Sequence, residues 1–194
     1  MRIVGGSFRG RALKAQIGPG VRPTSDRARE AVFNILEHAP WSAGVVDLRV
    51  IDLFAGSGAL GLEALSRGAA YCLFVETGAD ARGAIRDNAE ALDQDGALNG
   101  KMRIHRRDAT DLGLKPAADG EPFDLAFLDP PYGQGLGEQA LASLAAGGWL
   151  KPSAVCVLER GAGEGLLAAP GYAVLDDRRY GAAQVAFLRF EGRP

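Results

Sequence analysis

Residues 50–68 read VIDLFAGSGALGLEALSRG, and the pattern of that stretch decides the fold. Val50-Ile51-Asp52-Leu53-Phe54 is a short, mostly apolar run that stops at a glycine turn, which reads as a buried strand. The run breaks at Gly56-Ser57-Gly58, after which Leu62 and Leu65 recur at helical spacing. Gly68 then stands where a left-handed C-cap ends a helix. Strand, glycine turn and helix form the opening unit of a nucleotide-binding α/β sheet, in which glycines let the backbone approach a ligand at the helix N-terminus. Gly56, Gly58 and Gly61 also satisfy G-x-G-x-x-G, a pattern that a tight turn without any ligand satisfies equally well.

The alternation continues outward from this unit. Upstream, Pro23-Thr24-Ser25 supplies a stop and candidate N-caps, and Ala28, Val32, Ile35 and Leu36 predict an amphipathic helix over 25–38. Arg27 and Arg29 sit near its start, where the helix dipole disfavours a cation, so each is expected to face an anion. Downstream come a strand at 71–76, a helix at 78–92, a strand at 102–106 and a largely irregular segment at 112–122. A strand at 123–128, a helix at 136–146 and a strand at 154–159 follow. Tyr172–Leu175 and Gln184–Phe190 read as a closing hairpin. Strands alternating with helices imply a mainly parallel, doubly wound sheet whose ligands gather beyond the carboxyl ends of the strands.

Size and composition narrow the class. A chain of 194 residues, 47% hydrophobic and 24% charged, fits one globular domain with a full core and argues against disorder. No run is long enough to span a membrane, no signal-peptide pattern is present, and a cytoplasmic protein is expected. Cys72 and Cys156 lie in apolar strands and read as small buried hydrophobes; His38 and His105 stand alone, so no metal site is expected. The net charge of −2 conceals an asymmetry: residues 1–30 carry seven bases against two acids, and the remainder 15 against 22. Residues 1–24 therefore read as a basic arm, glycine-bent or hairpin-like, on an acidic body at 25–194, which suits a polyanion gripped by one segment.

The chemistry gathers at strand ends. Asp52, Glu76, Asp108 and Asp129 each close a predicted strand, and on one sheet they converge. Glu76 lies 20 residues after Gly56, the spacing at which an acid accepts hydrogen bonds from ribose hydroxyls, and this suits NAD and S-adenosylmethionine alike. Asp129-Pro130-Pro131-Tyr132 separates the two. Its double proline fixes φ twice and removes two N–H donors, leaving a rigid carbonyl beside a carboxylate and an aromatic face. Such a corner accepts both protons of an exocyclic amino group while Tyr132 stacks on the attached ring. Holding those protons turns a delocalised lone pair toward an electrophile, a gain of orientation and preorganisation.

Asp-Pro-Pro-Tyr after the fourth strand, with Phe54-Ala55-Gly56-Ser57-Gly58 after the first, resembles the S-adenosylmethionine-dependent amino-methyltransferases. The arm Arg2-Ile3-Val4-Gly5-Gly6, Arg9-Gly10-Arg11, Arg22-Pro23-Thr24-Ser25-Asp26-Arg27 and Phe33-Asn34 resembles more narrowly the RsmD-type 16S rRNA guanine-N2 methyltransferases of bacteria. The resemblance implies a Rossmann-like methyltransferase sheet with a C-terminal antiparallel hairpin and methyl transfer to N2 of one guanine in 16S rRNA. It implies that Asp52 and Phe54, Gly56, Ser57 and Gly58 hold the methionine part of the cofactor, Glu76 its ribose, and Asp108 with Ala109 its adenine. Asp129, Pro130, Pro131 and Tyr132 then hold an unstacked target base, and Arg9, Arg11, Arg22 and Arg27 hold RNA phosphates. Pro23 and Thr24 stay open between cofactor and RNA. The expected partner is 16S rRNA in an assembled or assembling small subunit, met by a monomer. The alternatives are an amino-methyltransferase for DNA or protein, an NAD-dependent oxidoreductase, and an RNA-binding protein without catalysis.

Overall fold

The computed structural model describes residues 1–15, 25–165 and 169–192. Helix α1 spans Asp26–His38, with the Ser25 side chain accepting from the Ala28 N–H as its cap. Then follow β1 (Arg49–Leu53), α2 (Ala59–Ser66), β2 (Tyr71–Val75), α3 (Ala79–Leu92), β3 (Met102–His105), β4 (Phe123–Leu128), α4 (Leu136–Gly147), β5 (Leu150–Gly161), β6 (Tyr172–Tyr180) and β7 (Ala183–Phe190). These strands form one seven-stranded sheet in the order β3-β2-β1-β4-β5-β7-β6. Strands β3, β2, β1, β4 and β5 pair in parallel, and β7 runs antiparallel to both β5 and β6. Within the largely irregular segment 112–122 there is a short 3-10 helix at Ala117–Asp119.

Both faces of the sheet are covered, which is why β1, β2 and β4 are apolar almost throughout. Val50, Cys72, Phe74, Leu125 and Phe127 join Phe33 and Leu36 of α1, Leu62 of α2 and Ile85 of α3 in one core. Ile51, Leu53, Leu73, Val75, Ala126 and Leu128 join Leu141 and Leu144 of α4 and Trp149 in the other. The sequence order leaves β1 toward β2 and β3, then returns to β4 on its opposite edge. Ligands of open α/β sheets bind at such a reversal.

Three boundaries differ from the sequence reading. Strand β1 ends at Leu53 because Phe54 takes a left-handed φ of 58°, a conformation that costs a bulky residue roughly 1–2 kcal/mol. Strand β5 begins at Leu150 rather than Ala154: its pairing slips between Phe123↔Leu150 and Leu125↔Val155, so Pro152 and Ser153 (φ 67°) sit in an irregularity within a strand. Strand β6 continues through Asp176-Asp177-Arg178-Arg179, which lack apolar alternation, because it is an edge strand whose charges discourage further pairing.

Residues 1–15 fold back through one bridge, Arg2↔Ala12, with the Ile3 N–H on Arg11 O and the Leu13 N–H on Met1 O, both at 2.9 Å. Ile3, Phe8 and Leu13 are buried in the same core as α1 and α2. What fastens this segment is Glu63, fully buried on α2. Its Oε2 accepts the Val4 N–H at 2.8 Å, its Oε1 accepts Arg67 Nε at 2.8 Å, and Arg29 Nε lies 3.6 Å from Oε2. Arg29 is itself fully buried and donates to Asp26 Oδ1 at 2.9 Å and to the Arg2 carbonyl. The anion that Arg29 faces is thus internal, and it ties α1 to α2 and the arm. Arg22, Pro23, Thr24 and the expected boundary at 24/25 lie outside the described residues.

Candidate active site

Pairing sets one common level across the five parallel strands. Leu53 lies opposite both Val75 and Leu128, Val75 opposite His105, and Leu128 opposite Leu158. The next residues out, Arg106, Glu76, Phe54, Asp129 and Glu159, therefore stand side by side along one rim.

Asp52, one residue inside that rim, is 1% exposed, and its Oδ2 accepts the Gly61 N–H at 2.9 Å. The bond answers a local need. Gly58, the N-cap of α2, takes a left-handed φ of 79° and offers no side chain, so the preceding strand caps the helix instead. The approach depends on Gly61: a Cβ there would lie 2.4 Å from Phe74 Cε1 and 2.6 Å from Cys72 Sγ. Glu76 reaches back across the crevice, its Oε2 accepting the Gly56 N–H at 2.9 Å and its Oε1 the Gly78 N–H at 2.7 Å. The Asp52 carboxyl is held well above the usual carboxylate range, first by burial and then by the charges of Asp129 and Glu76, against the pull of the Gly61 N–H. Three of the four strand-end acids thus share one field.

Asp108 does something different. It is exposed, lies three residues beyond β3, and accepts both the N–H (2.8 Å) and the hydroxyl (2.7 Å) of Thr110, bonds that hold its carboxyl below the usual range. Ala109 beside it is buried.

On the other side of the reversal, Pro130 is buried, Pro131 exposed and Tyr132 half-buried. The Tyr132 hydroxyl donates to Glu159 Oε1 at 2.6 Å, so the ring is oriented from β5. Glu159 escaped the sequence reading, although an acid near the end of a predicted strand is the same signal that marked the other four. Asn88 escaped it too. Buried on α3, it donates from Nδ2 to the carbonyls of Ser57 (2.9 Å) and Lys14 (3.1 Å) and accepts the Lys14 N–H at 2.7 Å, joining the arm to the glycine turn. Of the arginines expected to hold phosphates, Arg9 and Arg27 are exposed. Arg11 donates to the Leu92 carbonyl and lies over the Phe8 ring, 5.3 Å from its centroid. Among the described residues no group of three His, Cys, Asp or Glu is placed to hold a metal ion, and no helix is long and apolar enough to cross a membrane.

The electrostatics choose between cofactors. A dinucleotide would bring a pyrophosphate to the glycine turn, where the Glu76 carboxylate already takes the Gly56 N–H and opposes it; a cationic sulfonium is attracted by that same acid. Left-handed Gly56 and Gly58 keep the turn open to a ligand, so these residues fit S-adenosylmethionine. Sheet order, glycine turn and acid cluster define an S-adenosylmethionine-dependent methyltransferase.

Comparison with known proteins agrees. The chain is 38% identical over 192 residues to the ribosomal RNA small subunit methyltransferase D of Escherichia coli strain K12, covering 98% of this chain and 89% of that protein. It is 33% identical over 181 residues to the protein of the same name from Haemophilus influenzae, covering 93% and 89%. The structure of the Escherichia coli protein yhhF superposes with a TM-score of 0.80 at 30% identity, covering 100% of this chain and 99% of that one. The chain belongs to the family described as conserved hypothetical protein 95, whose pattern matches residues 1–189.

Proposed function

We propose that the protein transfers a methyl group from S-adenosylmethionine to the exocyclic N2 of a guanine in 16S rRNA. The observation that carries this reading is the exit of Asp129-Pro130-Pro131-Tyr132 from β4 directly beside the glycine turn that follows β1. The relatives' name, ribosomal RNA small subunit methyltransferase, supports an RNA substrate.

When bound, S-adenosylmethionine supplies an electrophilic methyl group on a sulfonium. Asp52, Phe54, Gly56, Ser57 and Gly58 hold its methionine part, Glu76 its ribose, and Asp108 with Ala109 its adenine. Asp129 and the Pro130 carbonyl accept the two amino protons of the target base, which turns the lone pair outward. Tyr132, oriented by Glu159, stacks on the ring. The amine sheds its proton after transfer, so no general base is required. The arm, with Arg9, Arg11, Arg22 and Arg27, holds phosphates of 16S rRNA within an assembled or assembling small subunit, and the enzyme works in the cytoplasm as a monomer.

The test is transfer of labelled methyl to hypomethylated small-subunit particles, followed by nucleoside analysis. Label is expected in N2-methylguanosine; label in another nucleoside or in protein refutes the reading. Asp129→Ala is expected to keep its cofactor affinity by calorimetry while transfer falls about 10²-fold or more, as for other preorganised polar groups. Undiminished turnover removes Asp129 from the chemistry.

A further inference from the structure

Glu76, Asp129 and Glu159 along the rim repel the backbone of any RNA that delivers a base to it, so the positive contacts lie away from the rim. The arm supplies one set. Beyond the arm, which reaches α3 through Arg11 and Lys14, residues 101–107 read KMRIHRR, four formal bases and no acid on a body where acids outnumber bases. They form β3, the edge strand, and its immediate continuation.

A cleft of about 320 Å³ opens there, lined by Arg103, His105, Arg106, Arg107, Pro116 and Asp119 among others. Its size is at the lower end of ligand pockets, but its walls are cationic where such pockets are mostly apolar. Asp119 is buried and fixes the wall: its Oδ1 accepts Arg103 Nη1 at 3.1 Å and lies 3.3 Å from His105 Nε2. Its Oδ2, and His105 Nδ1, are buried without a hydrogen-bond partner among the described residues. Arg107 is committed to the Leu112 carbonyl and lies over the Trp149 ring. Arg103 keeps half of its side chain exposed, and Arg106 is exposed. Three guanidinium groups against one carboxylate leave the cleft net positive.

The cleft neighbours the site along the chain, Arg107 preceding Asp108. The Glu76 N–H donates to the His105 carbonyl at 3.0 Å, so Arg106 and Arg107 start level with the acid beside the glycine turn. Strands β3 and β4 are three places apart in the sheet, about 14 Å at ~4.8 Å per strand. At 3.4 Å per stacked nucleotide that is about four nucleotides from the base held at Asp129.

We propose that the β3 edge, through Arg103 and Arg106, is a second phosphate-binding surface for the RNA substrate, about four nucleotides from the target base. This rests on the RNA reading above. The experiment measures binding of the full chain to a 16S rRNA transcript over a salt series, for wild type, Arg103→Ala/Arg106→Ala and Arg106→Ala alone. At about 0.7–0.9 of slope per phosphate contact, the double variant's log–log plot is expected to be shallower by about 1.4–1.8, and Arg106→Ala, which leaves the Asp119 pair intact, by about 0.7–0.9. S-adenosylmethionine affinity stays at the wild-type value in both. Wild-type slopes in both variants, with cofactor binding intact, overturn the proposal while leaving the RNA reading standing. Absence of wild-type binding both to the transcript and to hypomethylated small-subunit particles overturns both.

Discussion

Replacing Gly61 by alanine adds one carbon at the point where α2 touches the sheet. That carbon would lie 2.4 Å from Phe74 Cε1 and 2.6 Å from Cys72 Sγ, against a favourable carbon–carbon separation of about 3.5–4.0 Å. Phe74 and Cys72 are fully buried and have no room to retreat, so α2 must move outward by about 1 Å. The same movement stretches the 2.9 Å bond from the Gly61 N–H to Asp52, the only cap the strand provides, toward the limit of a hydrogen bond. Overpacking costs about 1–3 kcal/mol and the lost bond about 1–2, while alanine returns about 1 through helix propensity. The net loss of about 1–4 kcal/mol should lower the melting temperature by about 2–16 °C in a chain of this size. Because the glycine turn moves with the helix, calorimetry should also show weakened S-adenosylmethionine binding. Gly83→Ala on α3 is the matched control: a Cβ there meets nothing within 4 Å, so it should melt no lower than wild type. Wild-type melting and affinity in Gly61→Ala would refute the claim that this glycine sets the crevice.

Two further outcomes follow from buried charge. Glu63→Gln removes the charge shared by Arg29 and Arg67 and leaves them only Asp26 and Glu37 as counter-charges, an expected loss of about 1–3 kcal/mol readable by denaturant unfolding; an unchanged midpoint would show that the arm is held by packing alone. Asp52→Asn keeps an acceptor for Gly61 but removes a carboxylate whose folded-state proton affinity is raised. In the wild type the penalty of ionising it is absent below the ordinary carboxylate range and grows as pH rises through the raised value. The variant should therefore melt above wild type at neutral pH, with the gap closing as the solution is acidified; a gap that widens on acidification refutes the assignment.

The sheet was legible because its strands are buried on both faces: runs such as Val50–Leu53 and Phe123–Leu128 need no partner to be recognised, and each ends at an acid or a glycine. The Asp-Pro-Pro-Tyr corner was legible because proline narrows what its backbone can do. Contacts between segments distant in sequence were not. Glu63 sits between Leu62 and Leu65 with nothing in its neighbours to show that Val4 and Arg29 close over it. Asn88 looked like one polar residue on an alanine-rich helix until Lys14 and Ser57 came within its reach. Asp176–Arg179 hid a strand because an edge tolerates charges that a central strand does not.

The burial of Ile3, Phe8 and Leu13 sets an order of events during synthesis. Glu63, which accepts the Val4 N–H, and Ser66, which accepts the Phe8 N–H, are translated some sixty residues later, so these bonds of the arm wait until α2 has emerged. Closure of the arm therefore cannot precede synthesis of α2, and a label fixed to Val4 would report when it happens.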